Sequence, residues 1–230
     1  MVVSLTAWCG DVSVRHPTTR RFTFSYLLDF TNLVVVTSAP RNEFSITLVR
    51  HGESNWNELR LVQGQNDTAQ LTVRGKEQAY EVAQSLREPG FDYLLSSDLD
   101  RAAETASIIG ATLGLTPESD ALLRERCFGT LEGGPFESLT GDVTGVVDHV
   151  LVDPDTRPPG GESFRDVVAR AGLFIERVKV LWPSQRLLVV THGGTIRALR
   201  VHWSRTPLEG MTWDRVVNAS VWTLDAHASK

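Results

Sequence analysis

Cysteine, positive charge and long hydrophobic runs are all in short supply in this chain. The two cysteines, Cys9 and Cys127, lie far apart and form no CxxC pair, which speaks against both a disulfide framework and a thiolate zinc site. A reducing, cytoplasmic setting is expected. Lysine and arginine number 23 against 28 aspartates and glutamates, a net charge of -5. The broad cationic surface that nucleic acid or an anionic membrane requires is therefore missing, and any phosphate affinity must be local. No apolar run approaches the roughly 20 residues that span a bilayer. There is no internal repeat and no low-complexity tract. His16, His149, His202 and His227 carry no ligand spacing with a carboxylate beside it, so no metal is expected.

With 230 residues, 41% of them hydrophobic, the chain can bury one substantial core but not two large ones. Residues 1–43 read as an N-terminal extension and residues 44–230 as one domain. Within the extension, Arg20-Arg21 ahead of the fairly apolar Phe22 to Val36 has the outline of an export signal, but Asp29 and Asn32 interrupt it. The preferred readings are an added edge strand or hairpin, supported by the alternation of Phe22, Phe24 and Tyr26, or a loosely ordered segment. A homodimer contact is a further use for it.

From Phe44 onward strands and helices alternate. Phe44 to Val49 and Leu187 to Thr191 are short apolar runs rich in β-branched residues, of the kind buried on both faces of a parallel sheet. Tyr93 to Ser96 is another strand, and Asn218 to Leu224 a closing one. A helix opens at Leu71-Thr72 with Ala79, Val82, Ala83 and Leu86 on one face, and Pro89-Gly90 stops it. A second, capped by Asp98, carries Ala102, Thr105, Ile109 and Leu113 on one face and ends at Gly114 and Pro117. Ser163 and Asp166 form a capping box for a long helix whose Phe164, Val167, Val168, Ala171, Ile175, Val178 and Leu181 are apolar. This alternation predicts a three-layer α/β/α sandwich around a mostly parallel central sheet.

Sites in such sheets form at the carboxyl ends of the strands. Arg50-His51-Gly52 follows one apolar strand, His192-Gly193-Gly194 follows another, and Arg101 sits in the first turn of the helix after Tyr93 to Ser96. Three strand ends thus converge. Two imidazoles with arginines beside them suit in-line attack on phosphorus and stabilisation of the charge that develops. The glycines after the histidines let backbone amides approach a phosphate. The residues themselves therefore point to phosphoryl transfer through a phosphohistidine. For Arg101 the plainer alternative is an ion pair with Asp98 or Glu104 on its own helix.

Taken in order, several pieces resemble the histidine phosphatase superfamily, in its phosphoglycerate mutase-like branch, over roughly residues 44 to 225. They are Leu48 to Ser54, Asn57, Gln63-Gly64 with Asp67, Leu71-Thr72 with Gly75, Ser96-Ser97-Asp98 with Arg101-Ala102 and Thr105-Ala106, Arg124-Glu125 with Gly129 and Glu132-Gly133, Gly160-Gly161-Glu162-Ser163, and Thr191 to Gly194. The resemblance implies a phosphoglycerate mutase-like fold with His51 as the nucleophile, its opposite ring nitrogen held by a backbone carbonyl. It implies that Arg50, Arg101 and His192 surround the phosphoryl oxygens in place of a metal ion. Asn57, Gln63, Gly64 and Gly193 would contact phosphate or substrate, and Glu125 would serve as general acid and then base, with Glu132 and Glu53 as alternative acids. No cofactor is implied.

Proteins of this branch are mutases or phosphatases. A mutase must exclude water and hold a second anionic group, and the mutases resembled carry a longer, arginine- and lysine-rich insertion between the positions of Glu125 and His192. Here the small cap at about 132–160 holds Glu132, Glu137, Asp142, Asp148, Asp153 and Asp155 against Arg157 and His149. Cys127-Phe128 stands where those mutases have a histidine and a tyrosine that contact substrate. Hydrolysis of a small phosphomonoester with a neutral or weakly charged leaving group is favoured. A cofactor-dependent mutase is the alternative. A non-catalytic phosphate-binding protein is the third reading, although such a protein should have lost His51, Arg101 or Glu125. Val143, Val146, Val147, Val150 and Leu151 form an apolar wall of the cap or pack on the sheet. Trp56 is placed at the pocket, and Trp203, Trp213 and Trp222 in the core.

Overall fold

The computed structural model describes residues 44–88, 90–139, 153–209 and 215–225. The expectations for the extension 1–43, for Val143 to Leu151 of the cap and for Trp213 lie outside them. Five strands form one sheet: β1 (Ser45–Arg50), β2 (Tyr93–Ser96), β3 (Pro117–Ser119), β4 (Arg186–Thr191) and β5 (Val221–Asp225), in the order β3-β2-β4-β1-β5. The first four are parallel and β5 runs antiparallel to β1. The closing strand is thus an edge, and it starts three residues later than the apolar pattern suggests.

Side chains alternate across the sheet and decide its two layers. Ile46, Leu48, Leu187 and Val189 pack with α4 (Phe164–Leu181) and α5 (Gly193–Ser204). Val49, Leu188 and Val190 face α2 (Val73–Ser85) and α3 (Asp100–Leu113) on the other side. A single helical turn, α1 (Asn55–Glu58), follows the first strand. The structure is the α/β/α sandwich that the alternation predicts.

The local signals behave as their chemistry requires, with two exceptions. Thr72 caps α2 by accepting the Gly75 N–H at 3.0 Å. Ser163 and Asp166 form the expected capping box on α4. Gly114, at a φ of 72°, closes α3 in the left-handed conformation. Asp98, however, does not cap α3. Its carboxylate is held by Arg124 through two bonds at 2.7 and 2.6 Å, and the Asp100 N–H donates instead to Asp67 Oδ1 at 2.7 Å. A guanidinium fork outcompetes a single backbone amide for a carboxylate, and the helix end takes its cap from a distant loop. At the far end of α4, Leu181 is 58% exposed, so the apolar face runs out one turn early.

Candidate active site

Strand register decides where the two histidines meet. Arg50 is the partner of Thr191 across β1 and β4, so the residues that follow leave the sheet side by side. His51 N–H donates to the Thr191 carbonyl at 2.9 Å, and the two imidazole centroids lie 5.1 Å apart with planes inclined at 60°. Both side chains are buried. His51 Nδ1 is 2.7 Å from the Gly52 carbonyl, which can only accept. Nδ1 therefore carries the ring proton, and Nε2 presents a lone pair. Burial, then the Arg101 and Arg50 guanidiniums, holds the His51 pKa well below its usual 6.5. Burial, Arg101, His51 and Arg50 do the same to His192. Both rings are neutral at neutral pH. His192 Nε2 lies 2.9 Å from Ser97 Oγ, a contact the next strand sets up, because Ser96 is in register with Val190.

The two arginines are anchored by carbonyls rather than by carboxylates. Arg50 Nη1 donates to the Val216 carbonyl at 2.6 Å, while Arg101 donates from Nη1 to Asn66 at 3.0 Å and from Nη2 to Gly64 at 2.7 Å. Of the alternative partners for Arg101, Asp98 belongs to Arg124 and Glu104 to Lys76 at 2.8 Å. Burial, opposed by Glu125 and reinforced by Arg197, Arg101 and Arg215, lowers the Arg50 pKa to about 10. Burial also lowers that of Arg101. Among the described residues, Arg50 Nε, Arg101 Nε and His192 Nδ1 are buried nitrogens with no hydrogen-bond partner. Each such atom costs about 1–3 kcal/mol; Arg50 and Arg101 line the cavity described below, where an oxyanion would offer acceptors to their guanidiniums.

Glu125 comes from a loop between single 3-10 turns at Ala121–Leu123 and Gly129–Leu131. Its Oε1 accepts the Arg126 N–H at 2.8 Å and its Oε2 the Gly194 N–H at 3.0 Å, which sets the carboxyl against the first turn of α5. A Cβ on Gly194 would run into that carboxyl, so glycine is what lets the acid approach. Gly52 has a different reason from the one expected: its Cβ would run into the Gly75 carbonyl of α2, so helix packing, not phosphate, requires it. Of the other candidate acids, Glu53 also lines the cavity described below and Glu132 does not. Glu132 Oε1 accepts the N–H groups of Gln65 at 3.0 Å and Phe128 at 2.9 Å, and Glu53 Oε1 accepts the Thr72 hydroxyl at 2.9 Å.

A cavity of about 620 Å³ is lined by Arg50, His51, Asn57, Gln63, Gly64, Arg101, Glu125 and Gly193. Of the predicted site residues, only His192 is absent from its lining, being fully buried beside His51. Asn57 Oδ1 accepts from Ser54 N, Ser54 Oγ and Asn218 Nδ2 at 3.1, 3.1 and 3.0 Å, and Gln63 Oε1 accepts from Ser54 Oγ at 3.0 Å. The Ser54 hydroxyl has one proton for the two oxygens; the Ser54 and Asn218 N–H groups already fill the Asn57 oxygen, so the hydroxyl can serve Gln63 and both amides keep N–H edges as donors. Gly64 contributes through its carbonyl, which holds Arg101. Trp56, Phe128, Phe136 and Leu139 form an apolar wall.

Sequence reasoning missed Arg197, Arg215 and Asn218, which also line the cavity. Arg197 could have been found, since it follows Gly193 by four residues on one helix face; nothing local marks the other two. The acidic-cap expectation is corrected for the described residues. Glu132, Glu137, Asp153 and Asp155 are all absent from the cavity lining. Glu137 accepts from Arg60 Nε at 2.7 Å and Asp155 from Arg165 Nε at 2.6 Å.

Fold and site together define an α/β protein with an arginine-lined pocket beside a neutral, buried imidazole at the carboxyl end of its sheet. The chain belongs to the histidine phosphatase superfamily (branch 1), whose family model matches residues 46–230. It is 34% identical over 186 residues to Probable phosphoglycerate mutase GpmB of Erwinia tasmaniensis, which covers 80% of this chain and 86% of that one. Among solved structures, mycobacterial hydrolase 1 matches with a TM-score of 0.74 at 30% identity, covering 81% of this chain and 94% of that one. Mycobacterial glucosyl-3-phosphoglycerate phosphatase matches with a TM-score of 0.73 at 30% identity, covering 80% and 91%. Among the described residues, no helix is long and apolar enough to cross a membrane.

Proposed function

We propose that this protein is a phosphomonoester hydrolase that works through a phosphohistidine at His51 on a small phosphorylated metabolite, with guanidinium and imidazole groups in the place of a metal ion. The observation that carries this reading is the Gly52 carbonyl 2.7 Å from His51 Nδ1. It keeps the ring proton on Nδ1 and leaves Nε2 as nucleophile beside Arg50 and Arg101. In the first step the Nε2 lone pair bonds to phosphorus as the ester P–O bond breaks, and Glu125 gives its proton to the departing oxygen. The phosphorylated ring keeps its Nδ1 proton, and the Gly52 carbonyl stabilises the positive charge it acquires. Arg50, Arg101 and His192 take up charge on the phosphoryl oxygens, with the N–H edges of Asn57 and Gln63 and the Gly193 amide as neutral donors. In the second step Glu125 removes a proton from water. The water oxygen bonds to phosphorus, the P–Nε2 bond breaks, and inorganic phosphate leaves with the imidazole restored.

Two things support hydrolysis over mutation. The apolar wall at Phe128, Phe136 and Leu139 offers nothing to a second phosphate, and the solved relatives compared above are named as a hydrolase and a phosphatase. The mutase reading keeps the name of the curated relative and the two cations Arg197 and Arg215, which extend the acceptable leaving groups to anionic ones.

The test is a panel of phosphomonoesters assayed with a chelator present, with acid-labile phosphate counted on the protein. Phosphate release under chelation, label on the wild type and none on His51→Ala are expected. Dependence on a bisphosphorylated primer, with transfer between substrates, would establish the mutase instead. Activity that survives in His51→Ala, or that vanishes with the chelator, would sink the mechanism.

A further inference from the structure

The Gly160-Gly161-Glu162-Ser163 motif has no task in the reaction as written. Glu125 stands on a loop with no strand ladder or helix to hold it, so its main chain must be held from the side. The Glu125 carbonyl accepts from Arg170 Nη2 at 2.9 Å and from Gln65 Nε2 at 3.0 Å. Arg170, in the second turn of α4, also donates from Nη1 to the Leu122 carbonyl at 2.9 Å. The same guanidinium is gripped by Glu162, with Nε to Oε1 at 2.9 Å and Nη2 to Oε2 at 3.1 Å. Glu162 Oε2 in turn accepts the Cys127 N–H at 2.9 Å. Two further bonds close the clamp: Glu162 N–H donates to the Cys127 carbonyl at 2.8 Å, and the Arg126 side chain donates from Nε to the Glu162 carbonyl at 2.8 Å. The two side chains are 14% and 24% exposed, and a two-pronged pair so shielded holds its geometry better than a surface pair does.

We propose that Glu162 and Arg170 are positioning residues that set Glu125 for proton transfer to the leaving oxygen, an inference that rests on the hydrolase reading above. The pair fixes the loop on both sides of the acid, at Leu122 and at Cys127, and fixes the carbonyl of the acid itself. The carboxyl is then free to adjust only through its own side chain, whose far end is tied to Gly194. Neither Glu162 nor Arg170 lines the cavity, so phosphate binding does not depend on them directly. Their contribution lies in where the proton donor sits, and a displacement of about 1 Å at such a group costs on the order of 100-fold in rate.

The test compares kcat/KM on two esters of similar shape. The leaving group of p-nitrophenyl phosphate departs without protonation, whereas that of phenyl phosphate needs it. Glu162→Gln is expected to lose about 100-fold on phenyl phosphate and far less on p-nitrophenyl phosphate, with inhibition by inorganic phosphate unchanged. Arg170→Lys, which keeps the charge and removes the fork, should fall between wild type and Glu162→Gln, and it carries the comparison if Glu162→Gln does not fold. Combined with Glu125→Gln, the Glu162→Gln change should cost nothing further. Equal losses on both esters, or a double variant slower than Glu125→Gln alone, would overturn the clamp while leaving the hydrolase reading in place. A wild type inactive on both esters, or an active His51→Ala, would overturn the hydrolase reading and the clamp with it.

Discussion

Asn218 donates from Nδ2 to Asn57 Oδ1 at 3.0 Å, tying the turn ahead of β5 to the helical turn that follows His51. The same nitrogen lies 3.2 Å from the carbonyls of both His51 and Gly52. A segment from the far end of the chain therefore braces the carbonyl that sets the His51 tautomer, and it orients the amide that would face phosphate.

Asn218→Ala should loosen both. Loss of a hydrogen bond of this kind is worth about 0.5–1.5 kcal/mol net, so a fall of up to about tenfold in kcat/KM is expected, with a small drop in melting temperature. Steady-state kinetics beside a thermal melt will separate the two effects. Unchanged kinetics would remove Asn218 from the working site.

Arg101 is 1% exposed and spends two of its nitrogens on the Asn66 and Gly64 carbonyls while Nε remains for a ligand. Lysine offers one point charge and cannot reproduce this division. Arg101→Lys is expected to lower kcat by about 10²–10³ and to weaken competitive inhibition by phosphate. A lysine variant with wild-type turnover would show that the guanidinium only supports the loop.

Acid should destabilise the protein through its two site histidines. Burial holds the folded pKa of each well below the 6.5 they regain on unfolding, so below that value the unfolded chain binds more protons. The stability they lend is complete above pH 6.5 and declines as pH falls toward the folded values, by up to about 1.4 kcal/mol per pH unit for each ring. Urea midpoints measured between about pH 7 and about pH 5 should fall, and fall less steeply in His51→Ala. Equal slopes in the two proteins would mean that the His51 ring is not kept neutral by burial.

The two glycines after His192 should respond differently to a methyl group. In Gly194→Ala the new carbon meets the Glu125 carboxyl, whereas in Gly193→Ala its nearest neighbour is Arg50 Nε at 3.7 Å, an ordinary contact. Gly194→Ala is expected to displace the Glu125 carboxyl and lower kcat with little loss of stability, because the end of a flexible side chain can give way; Gly193→Ala should leave the carboxyl in place. Denaturant unfolding and kinetics on both variants check this, and equal behaviour would contradict the placement of Glu125 against α5.

Features that depend on neighbours in the chain were legible without coordinates. Thr72 and Ser163 cap their helices because an N-cap needs only the next three residues. The apolar strands at β1 and β4 declare themselves because both faces of a central strand are buried. Asp98 misled because its competitors are remote: Arg124 takes the carboxylate, and Asp67 supplies the cap from another loop. The acidic residues around Glu132 and Asp155 misled for the same reason, since net charge along a segment says nothing of which partner or amide each carboxylate meets.

The sequence by itself determined the layered α/β fold and the motif residues His51, His192, Arg50, Arg101 and Glu125, because periodicity, capping and short motifs are local properties of a chain. Only the tertiary structure decided how these act together. The Arg50–Thr191 register brings the two imidazoles abreast, the Gly52 carbonyl selects the tautomer, and Glu162 and Arg170 grip the loop that carries the acid. Each of these arises between segments far apart in the chain, where hydrogen-bond partners are chosen by packing in three dimensions and not by spacing along one.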